Sequence, residues 1–433
     1  MRWTERARRP KLPELLRQPA FRRYWSAQTI SMFGDQISSV AVPYTGILAL
    51  HASAAEMGYL TAAIWLPSLL FAVHAGAWAD RRGNRRRLMI VADLGRAGLL
   101  ATVPVCAALH VLTLGQLYAV AFSVGSLSVL FTVSDPALFV ALVPESQYLR
   151  GQSLVYGSRA FSFVGGPSLG GLLVQVLTAP FAVAADAASY LGSAFFLSRI
   201  RPAEPRPDPP GRGTFTAGAR YIAGNRLVRA ALIAAAVVNF FDFIFLALFA
   251  LYATRSLHIR PGVLGLVLGA GAIGAVLGSL AARHVSRTVG VGWGYVIGAA
   301  LFPGPLILVP LASGPHELVL ALLFASEFAS GVGVMMLDIS IGSIFAAVIP
   351  DRLRSRVTGA FQAVNYGTRP LGSLVGGALG TAIGVRPTLW IAAVGGTTAF
   401  IWLLPSPLPH FRLPGDVAKP NAKVKTEASM SDQ

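Results

Sequence analysis

Long apolar stretches alternate along this chain with short polar ones. Stretches 36–55, 57–79, 97–134, 160–185, 262–282 and 288–316 contain no Asp, Glu, Lys or Arg. Each reaches at least about the 20 residues a helix needs to cross the hydrocarbon layer of a bilayer. Stretch 97–134 is long enough for most of two crossings, divided at the turn-like Leu114 and Gly115. Apolar runs bounded by charge, Pro or Gly predict twelve spans. They lie near 22–50, 56–79, 88–109, 115–142, 152–177, 180–199, 229–253, 261–282, 293–312, 317–349, 357–383 and 387–404. The tenth is over-long and is expected to tilt or to extend past the bilayer. The fold class is all-α integral membrane, with twelve transmembrane helices.

Composition agrees: 54% of residues are hydrophobic and 13% are charged, where a soluble domain carries about 25% charge. The net charge of +17 sits in short loops between spans, which points to topology and anionic lipid headgroups rather than to nucleic acid. With the N-terminus in the cytoplasm, loops and tails on that side hold 30 basic residues. The opposite side holds Arg255, Arg260 and Arg386, and Arg96, Arg159 and Arg369 lie within spans. By the positive-inside rule both termini are cytoplasmic, in a multi-pass protein of the cell (inner or plasma) membrane. The apolar run after Arg23 is too long for a cleaved signal peptide. The lone cysteine, Cys106, excludes an internal disulfide. Only four of the 36 basic residues are lysine, which with the abundant Ala and Gly suggests a GC-rich bacterial genome.

The predicted organisation is a cytoplasmic segment 1–21, a six-helix half 22–199, a cytoplasmic linker 200–228, a six-helix half 229–404 and a disordered cytoplasmic tail 405–433. Linker residues 202–213 are rich in Pro and charge. Phe215 and Ile222 stand seven apart with Arg220, Arg226 and Arg229 elsewhere, which suits either a short helix on the membrane surface or a solvated linker. The halves repeat: Pro144, Arg150, Gly166, Gly170 and Gly171 match Pro350, Arg356, Gly372, Gly376 and Gly377 at an offset of 206, and Asp35 matches Asp242 at 207. Two six-span halves in parallel repeat are a transporter architecture, with the substrate site at the midplane between them.

Gly76, Asp80, Arg81, Gly83, Arg85 and Arg86 form the pattern G-x-x-x-D-R-x-G-x-R-R between spans two and three. Here the chain resembles the major facilitator superfamily, whose signature loop has this pattern at this place. Glycine at 76 allows span two to approach a neighbour, Asp80 ends the span, and Gly83 permits a tight turn. Such a loop can latch the two halves together on the inner side; as a bare arginine run it would only set topology. In the second half Gly278 is followed by Ala282 where the acid would stand, then Arg283. Gly166, Pro167, Gly170 and Gly171 resemble the core of the motif that the superfamily's drug:proton antiporters carry in span five, although Ser153 and Ser162 stand where glycines belong. That motif implies antiport or, as plain Pro and Gly chemistry, close helix packing. Residues 21–25 and 31–36, with Asp93, Arg96, Asp186 and Tyr190, look like the branch of bacterial macrolide and enterobactin exporters.

Ionisable residues inside a membrane are costly and mark function by default. Asp135 lies nine residues before Pro144 and Arg159 nine after Arg150; Asp338 lies twelve before Pro350 and Arg369 thirteen after Arg356. Matching depth on consecutive antiparallel spans predicts two ion pairs, Asp135–Arg159 and Asp338–Arg369. Asp35 and Asp242 each sit near the midplane, about 20 Å into the first helix of a half, without a basic residue at equal depth nearby. A carboxyl in a low-dielectric cavity can exchange protons near neutral pH or hold a cationic substrate, and that competition is the physical basis of proton/drug antiport. Glu327 and Asp186 are further coupling candidates. Asp93 and Arg96, three apart, are expected to form a local pair supporting the loop. His74, His110 and His284 are isolated and offer no metal site. No Walker loop, nucleophile elbow or dinucleotide fingerprint occurs, so neither enzymatic activity nor a cofactor is expected. The expectation is a monomeric, proton-driven exporter of small amphiphilic compounds. An uptake carrier, a lipid flippase and a non-transporting membrane sensor are the alternatives.

Overall fold

A computed structural model describes residues 14–201 and 215–413. Within helices the side chains of Val73, Ala77, Asp80, Arg81, Arg82, Phe215, Thr216, Asp351 and Ser355 also fall outside the described set. Twelve helices follow the twelve predicted spans. In the first half they are α1 (Pro19–Tyr44), α2 (Ala54–Arg82), α3 (Arg85–Ala108), α4 (Leu114–Leu142), α5 (Tyr148–Leu177) and α6 (Ala179–Ser198). In the second they are α7 (Arg226–Arg255), α8 (Pro261–Thr288), α9 (Val291–Leu301), α10 (His316–Val348), α11 (Asp351–Ala382) and α12 (Val385–Thr397). No strand occurs among the described residues.

Among the described residues, nine helices are long and apolar enough to cross a membrane by length and composition. The other three are α1, α11 and α12. The first begins with Arg22 and Arg23 and carries Gln28, Asp35 and Gln36; α11 carries Arg352, Arg354, Arg356 and Arg369; α12 ends after 13 residues in a 3-10 turn. Of these, Gln28 is buried between helices and Arg369 is half-buried, while Asp35, Arg352, Arg354 and Arg356 are exposed. Local chemistry fixes several starts. Ser53 and Glu56 form a reciprocal capping box at α2, Thr113 accepts from the Gln116 amide at α4 (3.2 Å), and Asn225 accepts from the amides of Leu227 and Val228 at α7.

The repeat extends to the connections. Left-handed backbone occurs at His51 and His258, at Gly83 and Gly290, and at Thr178 and Gly384. These pairs differ by 207, 207 and 206 residues. After α1 the Ala52 amide donates to Gly46 O (2.8 Å), and after α7 the Ile259 amide donates to Ala253 O (2.8 Å), 207 positions later. Inside each half the same crossing recurs: a Cβ at Gly170 would meet Ile37 of α1, and one at Gly376 would meet Ile244 of α7. This register corrects the expected position of the second loop. The turn after α8 is at Gly290, so Arg287 stands where the first half has Asp80, and Ala282 lies a turn and a half earlier.

Basic residues collect at one end of the bundle. Arg23 donates to Arg199 O (2.5 Å), Arg86 to Ser198 O (3.2 Å) and Ile200 O, and Arg150 lies 3.8 Å from Glu14. The short helix Phe215–Gly224 is there too. Rather than lying free on a membrane, it packs on the second half: Gly218 abuts Arg356 O, and Tyr221 donates to Val348 O (2.8 Å). Linker residues 202–213 lie outside the described residues. Residues 405–413, assigned from sequence to a disordered tail, instead fold against α9. Leu408 is fully buried, and Phe411 O accepts from the Gly292 amide (3.1 Å).

The two halves meet through α2 with α11 and α5 with α8, and small residues make the contact. A Cβ at Gly58 would collide with Ser373 O and the Gly377 backbone; one at Gly171 would collide with Pro261 O; one at Gly265 would collide with Pro167 O. All these positions lie toward the end opposite the arginines. There one apolar core joins both halves, from Tyr44, Ile47 and Met57 to Leu248, Leu251 and Tyr252. At the basic end the cores are separate: one holds Phe21, Met89 and Leu138, others Ala231 and Tyr295 or Val228 and Val357. Gly76, Gly157 and Gly359, on three of the same four helices, face open space there. The molecule is closed at its neutral end and open at its basic end.

Candidate functional site

The first half builds its polar interior from a stripe on α1. Tyr24, Gln28 and Asp35, spaced four and seven residues apart, share one helix face. Tyr24 and Gln28 both donate to Asp135 Oδ1 of α4, the tyrosine at 2.6 Å. The expected ion pair to Arg159 is not formed. That side chain is exposed, lies near the Tyr156 ring (5.9 Å) and acts on Asp135 through its charge alone. The sequence estimate of depth was adequate, but helices that pass at equal depth need not turn those faces together.

Asp35 lies two turns beyond Gln28 and has an exposed side chain that accepts from the Tyr190 hydroxyl of α6. It is therefore not isolated. Arg96 of α3 lies over the Tyr190 ring (4.0 Å) and the Phe131 ring (4.6 Å), and its charge acts on Asp35. The Asp93–Arg96 pair exists, with both residues buried at 0% and 2% exposure, but it supports this interior cluster rather than the loop. Asp186 of α6 completes the cluster. It accepts from Ser38 of α1 and from Ser189 (3.0 Å).

The second half is arranged differently. Arg369 of α11 makes no ion pair with Asp338, which is exposed on α10. Its guanidinium is boxed by the rings of Trp65 (4.4 Å), Tyr366 (5.0 Å) and Phe243 (5.1 Å). Its Nε donates to Asn239 Oδ1 (3.2 Å), and Asn239 donates in turn to Asn365 Oδ1 (3.1 Å). Asp242 of α7 is half-buried and lies in the field of Arg369; Glu327 of α10, beside Gly271 of α8, lies in the field of Asp242. Among the described residues, no hydrogen bond or ion pair is formed by the carboxyls of Asp242, Glu327 or Asp338. Trp65 comes from the first half, so the box itself bridges the halves.

The loop after α2 turns at Gly83 (φ 71°), and the side chains of Asp80 and Arg81 lie outside the described residues. Arg85 is half-buried at the start of α3. The bonds of Arg86 to the end of α6 stay within the first half. Gly76, expected to admit a close neighbour, faces open space, because the halves have separated at this end. In α5, Gly166 and Gly170 seat Gln36 and Ile37 of α1, whereas Pro167 and Gly171 meet α8 across the interface. Tyr24, Gln28, Ser38, Tyr190 and the Trp65 box were not singled out from sequence as site residues. The stripe on α1 was detectable as polar residues at three- and four-residue spacing inside an apolar span. The box was not, since its members come from α2, α7 and α11.

Similarity to known proteins agrees with this geometry. The chain is 26% identical over 377 residues to the multidrug efflux pump Tap of Mycolicibacterium fortuitum, covering 82% of this chain and 88% of that one. It is 27% identical over 415 residues to Tap of Mycobacterium tuberculosis, covering 87% and 91%. Among solved structures, a point mutant of the nucleoside transporter NupG superposes with a TM-score of 0.75 at 12% identity, covering 89% of this chain and 99% of that one. A bacterial homologue of ferroportin in an inward-facing state gives 0.71 at 14%, covering 91% and 99%. The model of one family, described as transmembrane secretion effector, matches residues 13–426. The chain belongs to that family and is a transporter of the major facilitator type.

Proposed function

We propose that this transporter is a proton-coupled exporter of small amphiphilic compounds, drugs, antibiotics or siderophores among them, working by alternating access. The observation that carries this reading is the placement of acids at the same depth in both halves, Asp35 on α1 and Asp242 on α7, in a bundle open at one end. Each acid can hold a proton or a cationic group, but not both. Similarity to multidrug efflux pumps supports the outward direction. The concentration of arginine at the open end supports a cytoplasmic location for that end and for both termini. In that orientation the structure is the loading state, with substrate entering from the cell interior. The proton gradient supplies the energy, no cofactor takes part, and the monomer is the working unit.

The test uses proteoliposomes with an imposed proton gradient and ethidium as the transported probe. The wild-type protein is expected to drive ethidium against its gradient, and Asp35→Asn to lose that active flux to the level of empty liposomes. Downhill exchange of ethidium by Asp35→Asn should persist, because the neutral isostere still permits the halves to move. Unchanged uphill flux in Asp35→Asn removes this residue from coupling, and uptake by right-side-out cells reverses the assigned direction.

A further inference from the structure

Behind Asp35 stands a second carboxyl. Asp186 is 1% exposed, and each of its oxygens accepts from a serine hydroxyl, Ser38 on α1 and Ser189 on α6. Among the described residues, no cation forms an ion pair with it. Glycine at 34 makes the approach possible: a Cβ there would collide with Asp186 Oδ1 and Ser189 Oγ. From the next position along α6, the Tyr190 hydroxyl bonds Asp35. The two acids thus share one crossing, α1 over α6, and act on each other through their charges.

The surrounding charges are few. From α3, Arg96 acts on both acids while bound to Asp93; from α5, Arg159 acts on Asp35; from α6, Tyr190 faces both. Three carboxyls therefore surround a single buried guanidinium. With all ionised, Asp35, Asp93 and Asp186 would leave two uncompensated negative charges around Arg96, and only Asp35 is exposed. Burying such charge is costly, and two carboxyls at one site relieve it by sharing a proton. Arg96 Nε is also buried in this cluster without a hydrogen bond, and Ser193 of α6 lies beside Asp93. Buried polar atoms are seldom left unpaired, so the guanidinium keeps a spare donor for a change in the proton count of the site.

We propose that Asp35 and Asp186 form one two-carboxyl site that shares a single proton, and that Arg96, anchored by Asp93 and stacked on Tyr190, sets how many protons the site holds. This rests on the proton-coupled reading above and adds Asp186 as the partner acid and Arg96 as a positioning residue. Asp35, whose side chain is exposed, exchanges with water; Asp186 is the sheltered member. When the proton passes between them, an O–H bond breaks at one carboxyl and forms at the other, with no net change at the site.

The experiment is pH-difference infrared spectroscopy of the full-length protein in liposomes, with no substrate added, reading the carbonyl band of neutral carboxyls. Asp35→Asn and Asp186→Asn should each remove the intensity of one carboxyl, and the double variant should remove the same single carboxyl. Arg96→Gln should raise the intensity to two carboxyls at neutral pH, and Arg96→Lys should restore one. An unchanged band in Asp186→Asn, or loss of two carboxyls in the double variant, overturns the shared site. If Asp186→Asn does not fold, Asp186→Glu and Ser38→Ala serve: each should shift the frequency of the same band, and no shift in either overturns the proposal. The ethidium assay on the same preparation separates the two levels. Absence of proton-driven flux in the wild type defeats the exporter reading while leaving the spectroscopic result intact.

Discussion

At the scale of single residues, Arg369 shows how a half-buried charge can be held without an acid in contact. Three aromatic rings and one amide oxygen surround its guanidinium. Each cation–π contact contributes about 0.5–2 kcal/mol, the larger value when water is excluded. Because Trp65 belongs to α2 and Arg369 to α11, part of that energy holds the two halves together. Replacing Trp65 by Leu keeps the volume apolar but removes the ring quadrupole. The expected result is a closed neutral end weakened by about 1–2 kcal/mol, a factor of roughly 5–30 in the ratio of states. Spin labels on His110→Cys and Ser313→Cys, in neutral-end loops of the two halves, would report it as a growing long-distance population. Arg369→Lys should act in the same direction, since a lysine ammonium lacks the planar face that stacks. Distance distributions identical to wild type in both variants would show that the box does not restrain the halves.

At the scale of helices, the interface depends on glycine where backbones touch. Gly171 of α5 meets Pro261 and Gly262 of α8, and the repeat carries that contact to Gly377 of α11 against Ala55 and Gly58 of α2. Overpacking a tight contact costs about 1–3 kcal/mol. Gly171→Leu is therefore expected to disfavour the state seen here while leaving each half folded. Measured in the same spin-labelled background, it should shift the molecule toward opening at the neutral end. Gly157→Leu, on the same helix where it faces open space, should leave that distribution unchanged. Much of this level was legible in the sequence. The Gly166–Gly171 spacing and its copy at Gly372–Gly377 gave the repeat, because a backbone approach leaves a compositional mark. The partners of buried charges were not legible. Asp135 was matched to Arg159 by depth along the helix, but depth says nothing about rotation, and Tyr24 and Gln28 occupy the face that Asp135 meets. Likewise, Asp93 and Arg96 were paired correctly, but their place beside Asp35 depends on how α3, α1 and α6 pack.

At the scale of the whole molecule, the pairing of α2 with α11 indicates what the other state must look like. The helices run antiparallel, and their contacts keep a steady register: Gly58 lies against Gly377 and Ser373, and Leu69 against Gly367. Continued toward the basic end, that register sets Gly76 opposite Gly359, at the level where both now face open space. Alternating access requires the halves to rock about the central site so that one end closes as the other opens. The two glycines should then come as close as Gly58 and Gly377 are in this structure. In a Cys106→Ser background, Gly76→Cys with Gly359→Cys should not cross-link in the present state, since a disulfide needs Cα atoms within about 7 Å. It should cross-link once the basic end closes, and the oxidised protein should lose ethidium flux to the empty-liposome level until reductant is added. Gly76→Cys paired with Gly157→Cys is the control: both residues belong to the first half, so rocking should not bring them together. Rapid cross-linking in the open state, or full flux in the oxidised pair, would exclude a rocking motion about this helix pair. Since Gly76 opens the G-x-x-x-D-R-x-G-x-R-R loop, the same result would assign that loop to the gate at the basic end.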